Sequence, residues 1–463
     1  MERIRAWFNS REEYQPIGNT SPDDGDARPV ETADSTFSWF EYSIFVLLGV
    51  SMLWAWNMFL AAGPYLGQRF QSNGWIVKNF QAAELSASTV GTLGMTLVLT
   101  NMQKGASYSR RIFIALVLNS LVFAMLAIST KVFTSVTASA YFGFIIAMTL
   151  STSVATGFFQ NGIFAFVAGF GQGRYTQGIM VGQGIAGVLP CIAQIGLVLA
   201  LSPLTSAPER ASATDEKPAK PPGSVPEAPG VPDNAALAYF TTSIVISVVT
   251  FFTFSILVRS RETQQLKASV HANASPDRSG PASMKKSVPF MVLFRKLFWL
   301  ASTVFIVFLV TMLFPVFTQK IMSVTPIDQA PRILYPASFV PLAFLMWNVG
   351  DLSGRLLTGY PKLLLTHRPK LLFVLALLRI VWIPLYYLCN IGGTGAVINS
   401  DFFYLVIVQF LFGASAGYLG SCCMMGAADW VDPEEREAAG GFMGLCLVFG
   451  LAVGSLLSFL ISG

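Results

Sequence analysis

Charge is the scarcest thing in this 463-residue chain. Only 12% of its residues are charged, against 53% hydrophobic ones. A soluble domain carries about twice that share of charge. With several apolar runs near twenty residues long, the shortage points to an all-α integral membrane protein. Histidine is nearly missing too: His271 and His367 are the only two, both in polar stretches read as loops. A buried histidine proton relay is thereby excluded. The five cysteines, Cys191, Cys389, Cys422, Cys423 and Cys446, all lie in or beside apolar runs. No loop holds a CxxC pair, so packing is the reading rather than zinc or disulfides. No GxxxxGK[ST] occurs, which argues against an ATP-driven pump. Gly182-Gln183-Gly184-Ile185-Ala186-Gly187 matches GxGxxG, but a dinucleotide site needs a preceding strand and this match lies in an apolar run. No metal or nucleophile cluster lies near an interface, so no cofactor and no enzyme activity are expected. The net charge of +5 is no nucleic-acid footprint, because the basic residues are scattered over loops.

What the chain has is apolar runs, about eleven of them, each able to cross a bilayer core of roughly 30 Å. They fall near 42–63, 84–103, 112–133, 138–168, 177–201, 235–258, 297–319, 334–358, 371–389, 402–427 and 438–461. Residues 1–40 are polar and proline-broken and read as a disordered cytoplasmic tail, with no signal peptide. Residues 41–258 read as a six-helix bundle, interrupted by a proline-rich outer or luminal loop at 202–234. A basic, serine-rich linker at 259–296 leads to a five-helix bundle at 297–463, as between two transporter halves. With a cytoplasmic N-terminus, twenty of the thirty basic residues fall inside and eight outside. The remaining two, Arg355 and Arg379, lie within spans. The asymmetry decides for that orientation. An odd span count then puts the C-terminus outside or in a lumen.

Within the spans, small residues recur at four-residue spacing: Gly178/Gly182, Gly413/Gly417, Gly440/Gly444 and Gly450/Gly454. Such pairs let helix backbones approach closely. Polar residues at membrane depth need partners or water. Asn57 follows Trp56 mid-way through the first span, as helix glue or cavity lining, with Trp56 offering a flat face to a planar ligand. Gln160 and Asn161 lie mid-way through the fourth. On a helix they point about 100° apart, so at most one faces a central cavity. An amide suits the edge of a nucleobase, and interhelical hydrogen bonding is the plainer alternative. In the eighth span Asn348, Asp351 and Arg355 share one face. A structural ion pair is one reading. The other is a sugar site, since a guanidinium offers donors and a carboxylate accepts from hydroxyls. Arg379 reads as snorkelling or structurally paired. Pro433 reads as the start of the last helix, after an acidic cytoplasmic turn.

Together these residues resemble the equilibrative nucleoside transporter family. The carrying motifs are Trp56-Asn57-x-Phe59, Gln160-Asn161-Gly162, Gly182-Gln183-Gly184-x-Ala186-Gly187 and Asn348-x-x-Asp351-x-x-Gly354-Arg355-x-x-Thr358. Gly417-Tyr418 and Gly440-Gly441-Phe442-Met443 add weaker support. The resemblance implies a fold similar to the major facilitator superfamily, in a 6+5 arrangement with alternating access. It implies that Asp351 and Arg355 engage the ribose and that Asn161, or Gln160 beside it, meets the base. Trp56 and Leu60 would flank the ligand, with Asn57 and Asn348 nearby. The substrates implied are purine and pyrimidine nucleosides, with nucleobases as a further class. Transport is facilitative or proton-coupled, and Asp351 and Glu84 are the candidate proton carriers. The expected partners are the lipid bilayer and no nucleic acid, and the expected state is a monomer. A major-facilitator-type carrier of sugars is the alternative. Tyr14-x-x-Ile17 has the form of a tyrosine-based sorting signal. With the short first outer loop it favours a vacuolar or lysosomal membrane and leaves the plasma membrane open.

Overall fold

Polar residues between the apolar runs set where the helices begin. Ser38, Asn73, Ser107 and Thr137 each accept a hydrogen bond from a backbone N–H two or three residues on, capping the first four long helices. The structure is a computed structural model that describes residues 37–201, 233–273, 288–326 and 328–462. In chain order its long helices are α1 (Trp39–Arg69), α2 (Gly74–Asn101), α3 (Tyr108–Val132), α4 (Ala138–Ala168), α5 (Gly173–Gly196) and α6 (Ala236–Gln264). There follow α7 (Phe298–Lys320), α8 (Pro336–Leu357), α9 (Pro369–Tyr387), α10 (Phe403–Trp430) and α11 (Pro433–Ser458). All but α8 are long and apolar enough to cross a membrane. α8 has 22 residues, about 33 Å of helix, but its polar face makes it less apolar.

Prolines mark the interior breaks. The ladder of α1 is interrupted at Ala62 before Pro64, and that of α7 at Met312 and Leu313 before Pro315. α9 tightens to a 3-10 turn at Arg379–Val381 before Pro384. α11 begins at Pro433, as its sequence implies.

The packing repeats itself. α1 lies on α5, α2 on α4, and α3 on α4 and α6. Six helices later, α7 lies on α11, α8 on α10, and α9 on α10. Between the two sets α5 meets α8 and α2 meets α11, and the same six-helix shift exchanges these two contacts. Glycine closes the seams. A Cβ on Gly182 would overlap the Val46 carbonyl of α1, and one on Gly440 the Phe164 carbonyl of α4. A Cβ on Gly417 would meet the Asp351 carbonyl of α8, and one on Gly454 the Leu309 carbonyl of α7.

The basic linker begins later than its composition suggests. The helix containing α6 runs to Asn273 and takes His271 with it. No glycine or proline stands between Arg259 and Asn273 to stop it. Arg261, in the last turn of α6, pairs with Glu41 of α1, Nε to Oε1 at 2.9 Å. A short helix, Phe290–Lys296, precedes α7. The tail at 1–36 and the segments 202–232 and 274–287 lie outside the described residues, and so does the Tyr14-x-x-Ile17 pattern.

Candidate functional site

α8 supplies the charges. Gly413 and Gly417 let the α10 backbone touch α8, which leaves Asp351 and Arg355 only 5% and 6% exposed. The i,i+4 spacing lets Arg355 donate from Nε to Asp351 Oδ2 at 2.6 Å. The same guanidinium reaches across to the other set of helices. Its Nη1 donates to the Met180 carbonyl at 2.8 Å and to Gln183 Oε1 at 3.0 Å, both on α5. Gln177 of α5 returns the contact, donating to the Arg355 carbonyl at 3.2 Å. Further along α8, Asn348 donates to the Phe344 carbonyl at 2.8 Å and lies 3.6 Å from Cys191 Sγ of α5. Its Oδ1 occupies the space a Cβ on Gly187 would need.

α5 also holds α1. Asn57 donates to the Ala186 carbonyl at 2.7 Å. One stripe of α5, from Met180 through Gln183, Ala186 and Gly187 to Cys191, therefore joins Asn57 to Asn348 and Arg355. Trp56 is half-buried, its ring parallel to that of Phe59, and Leu60 is exposed.

The two amides of α4 point different ways. Asn161 accepts from Arg111 of α3 and donates to Thr100 of α2 at 3.2 Å. Arg111 also donates to the Leu99 carbonyl at 3.0 Å. Asn161 thus has both ends of its amide occupied. Gln160 is also buried, with its stem against Gly444 of α11. Its Nε2 has no hydrogen-bond partner among the described residues. Trp347 Nε1, one turn from Asp351, is likewise without a partner, while its ring stacks on Phe314 at 4.4 Å.

Arg379 does not snorkel. It is buried, and donates to Ser415 Oγ at 3.1 Å, the Val307 carbonyl at 2.6 Å and Thr311 Oγ1 at 3.1 Å. The acceptors come from α7 and α10, and the ring of Phe412 lies under the guanidinium. A guanidinium offered several acceptors inside the bundle has no need to reach an interface. Sequence reasoning missed two partners, Gln183 for Arg355 and Arg111 for Asn161. Gln183 carried a usable signal, as an amide inside an apolar run. Arg111 sits at the end of a run, where a basic residue reads as a loop cation.

The site is a carboxylate, a guanidinium with donors on two sides and several amides, at a seam between two sets of helices. It can hold a ligand rich in hydroxyls and ring nitrogens.

Comparison with known proteins gives the family. The sequence profile of the nucleoside transporter family matches residues 145–213 and 224–463. The chain is 30% identical over 446 residues to the nucleoside transporter FUN26 of Saccharomyces cerevisiae, covering 90% of this chain and 83% of that one. It is 27% identical over 476 residues to equilibrative nucleoside transporter 2 of Mus musculus, covering 90% and 95%. Among solved structures, the fucose:proton symporter FucP of E. coli superposes with a TM-score of 0.53 at 13% identity, covering 91% of this chain and 90% of that one. The major-facilitator proton:xylose symporter XylE gives 0.55 at 11% identity, covering 91% and 87%. These two likenesses concern the fold alone.

Proposed function

The chain belongs to the nucleoside transporter family and is a multi-pass carrier of nucleosides with a major-facilitator fold, and we propose that it works by alternating access around the α5–α8 seam. The observation that carries this is the Arg355 guanidinium, which serves Asp351 on its own helix and Gln183 and Met180 on the opposite set. A ribose diol arriving at Asp351 and Arg355 competes for donors and acceptors that now tie the two sets together. Ligand and helix seam thus share one group, which links binding to the movement of the sets. Asn348 and Asn57 support this site from either side of α5, and Trp56 and Leu60 flank the ligand. Of the two α4 amides, Gln160 reads the base, because its donor is free while Asn161 is engaged by Arg111 and Thr100. No chemical step takes place, and nucleobases share the path.

The Trp39 end of the bundle faces the cytoplasm on the tally of basic residues. There the turn between α4 and α5 meets α10 and α11: Gly169 lies against Glu437, Gly171 against Arg436 and Gly173 against Met425. This arrangement is the state closed toward the cytoplasm. The carrier acts as a monomer in a vacuolar or lysosomal membrane. Uptake of radiolabelled uridine and adenosine into liposomes holding the pure protein tests the reading. Entry of both nucleosides, with glucose excluded, is expected. Entry of glucose without either nucleoside contradicts it.

A further inference from the structure

α2 carries a carboxylic acid that the sugar site does not use. Glu84 lies about 15 Å along α2 from Gly74, at the outer end of the second apolar run. It is 5% exposed, and its Oε1 is buried with no hydrogen-bond partner among the described residues. None of the ion pairs among those residues includes it.

A second observation falls on the same seam. Gly91 of α2 lies against Ser153 of α4, Thr92 donates to the Ser153 carbonyl, and Gly157 lies against Met95. α2 and α4 thus run side by side in constant register. Glu84, Ser88 and Gly91 recur at i, i+4 and i+7, so they share the stripe that faces α4. Two turns from Gly91, the register sets Glu84 beside the turn of α4 between Ile146 and Thr149. Thr149 is buried there and Thr152 is buried one turn further along α4, and their hydroxyls also have no partner among the described residues. Three orphaned oxygens therefore gather on one seam.

Among the described residues of α4, α11 and the neighbouring end of α1, no free counter-charge faces them. The one titratable side chain of α4 is Tyr141, whose hydroxyl is bonded to Ser129 Oγ at 3.1 Å. α11 brings Glu434, Glu435, Arg436 and Glu437 at the opposite end of the bundle, and Cys446. The neighbouring end of α1 brings Tyr65 and Arg69, and Arg69 is held by the Phe133 and Thr134 carbonyls. Lys78, on α2 itself, is exposed. An ionised carboxylate buried without a partner is costly. A proton removes that cost, and the resulting O–H can donate to a threonine hydroxyl, which donates in turn.

We propose that Glu84 is a proton-binding site whose occupation sets the transport rate, the proton-bound form being the one that carries substrate. The proposal rests on the nucleoside reading for its readout. α2 also packs on α11 of the opposite set, so a charge at Glu84 bears on a helix that joins the two.

The test is adenosine uptake into liposomes by the full chain, measured between about pH 5 and 9. One proton-binding group passes from about nine-tenths to one-tenth occupied over two pH units, so uptake should fall by about tenfold as the proton leaves. Glu84→Gln should hold the acid rate at every pH. A flat wild-type profile, or a Glu84→Gln profile that titrates like wild type, overturns the proposal. Should Glu84→Gln fail to fold, Thr149→Val serves: a shifted midpoint supports the site and an unmoved one overturns it. If no nucleoside enters at any pH, the nucleoside reading fails by itself. Proton uptake by the pure protein on acidification then decides, with Glu84→Gln expected to take up one proton fewer and an equal uptake counting against the site.

Discussion

Gln160 and Asn161 are neighbours with opposite circumstances, and the difference makes a test. Asn161 accepts from a buried guanidinium, so Asn161→Ala leaves Arg111 with the Leu99 and Met102 carbonyls but one acceptor fewer and costs stability, about 1–3 kcal/mol for the unsatisfied donor. It should lower the unfolding temperature and leave the ratio of adenosine to uridine uptake unchanged. Gln160→Leu strands nothing, since its amide nitrogen has no partner, and it should change that ratio with little change in unfolding temperature. Fluorescence-detected unfolding and competitive uptake separate the two. At this scale the polar face of α8 was legible in the sequence, because acids and bases are rare inside apolar runs. Direction was not legible. Adjacent amides point about 100° apart on any helix. Nothing local announces that Arg111, fifty residues earlier, takes one of them.

Helices in this fold are held at distances that only glycine permits. Gly417 lies against the Asp351 carbonyl, backbone on backbone, with no flexible side chain to give way. Gly417→Val must push α10 off α8 and carry Asp351 with it. We expect little folded protein by size-exclusion chromatography and no uptake. Gly143 of α4 has open space where a Cβ would go, so Gly143→Ala should be tolerated. It should raise stability by about 0.5–1 kcal/mol, the usual gain of Ala over Gly within a helix. The glycine spacings foretold the seams, since each of the four pairs lies where two helices meet. They could not say which helices, because a spacing carries no address. The run lengths likewise gave the helices but not their breaks at Ala62, Met312 and Arg379. These depend on proline two or more residues ahead together with the packing around it.

Across the whole molecule, the two sets of helices meet along α5–α8, α4–α11, α2–α11 and α5–α10, and at the Trp39 end the turn between α4 and α5 touches α10 and α11. Alternating access requires that end to open. A Cβ on Gly173 would lie 3.4 Å from the Cβ of Met425, close to the separation of about 3.5–4.5 Å that a disulfide spans. Gly173→Cys with Met425→Cys should therefore cross-link under mild oxidation. Uptake should stop, and a reductant should restore it. Full activity in the cross-linked protein would mean that this end does not open. The all-helical, multi-span plan was legible from the number and length of the apolar runs. The six-helix shift that relates α1–α5 to α7–α11 was not, because it lives in contacts and leaves no repeat in the sequence.

In the reading proposed above, one ion pair on α8 holds the nucleoside and the seam together. This is tested most directly by uridine and adenosine uptake into liposomes with wild type, Asp351→Asn and Arg355→Ala, each confirmed folded by its unfolding transition. Removing one partner of a buried pair costs about 3–5 kcal/mol, so both variants should unfold at lower temperature. Arg355→Ala should fall further, because it also gives up Gln183 and the Met180 carbonyl. Wild type should carry both nucleosides to equilibrium, and neither variant should carry them above protein-free liposomes. Folded variants that transport at the wild-type rate would contradict the account.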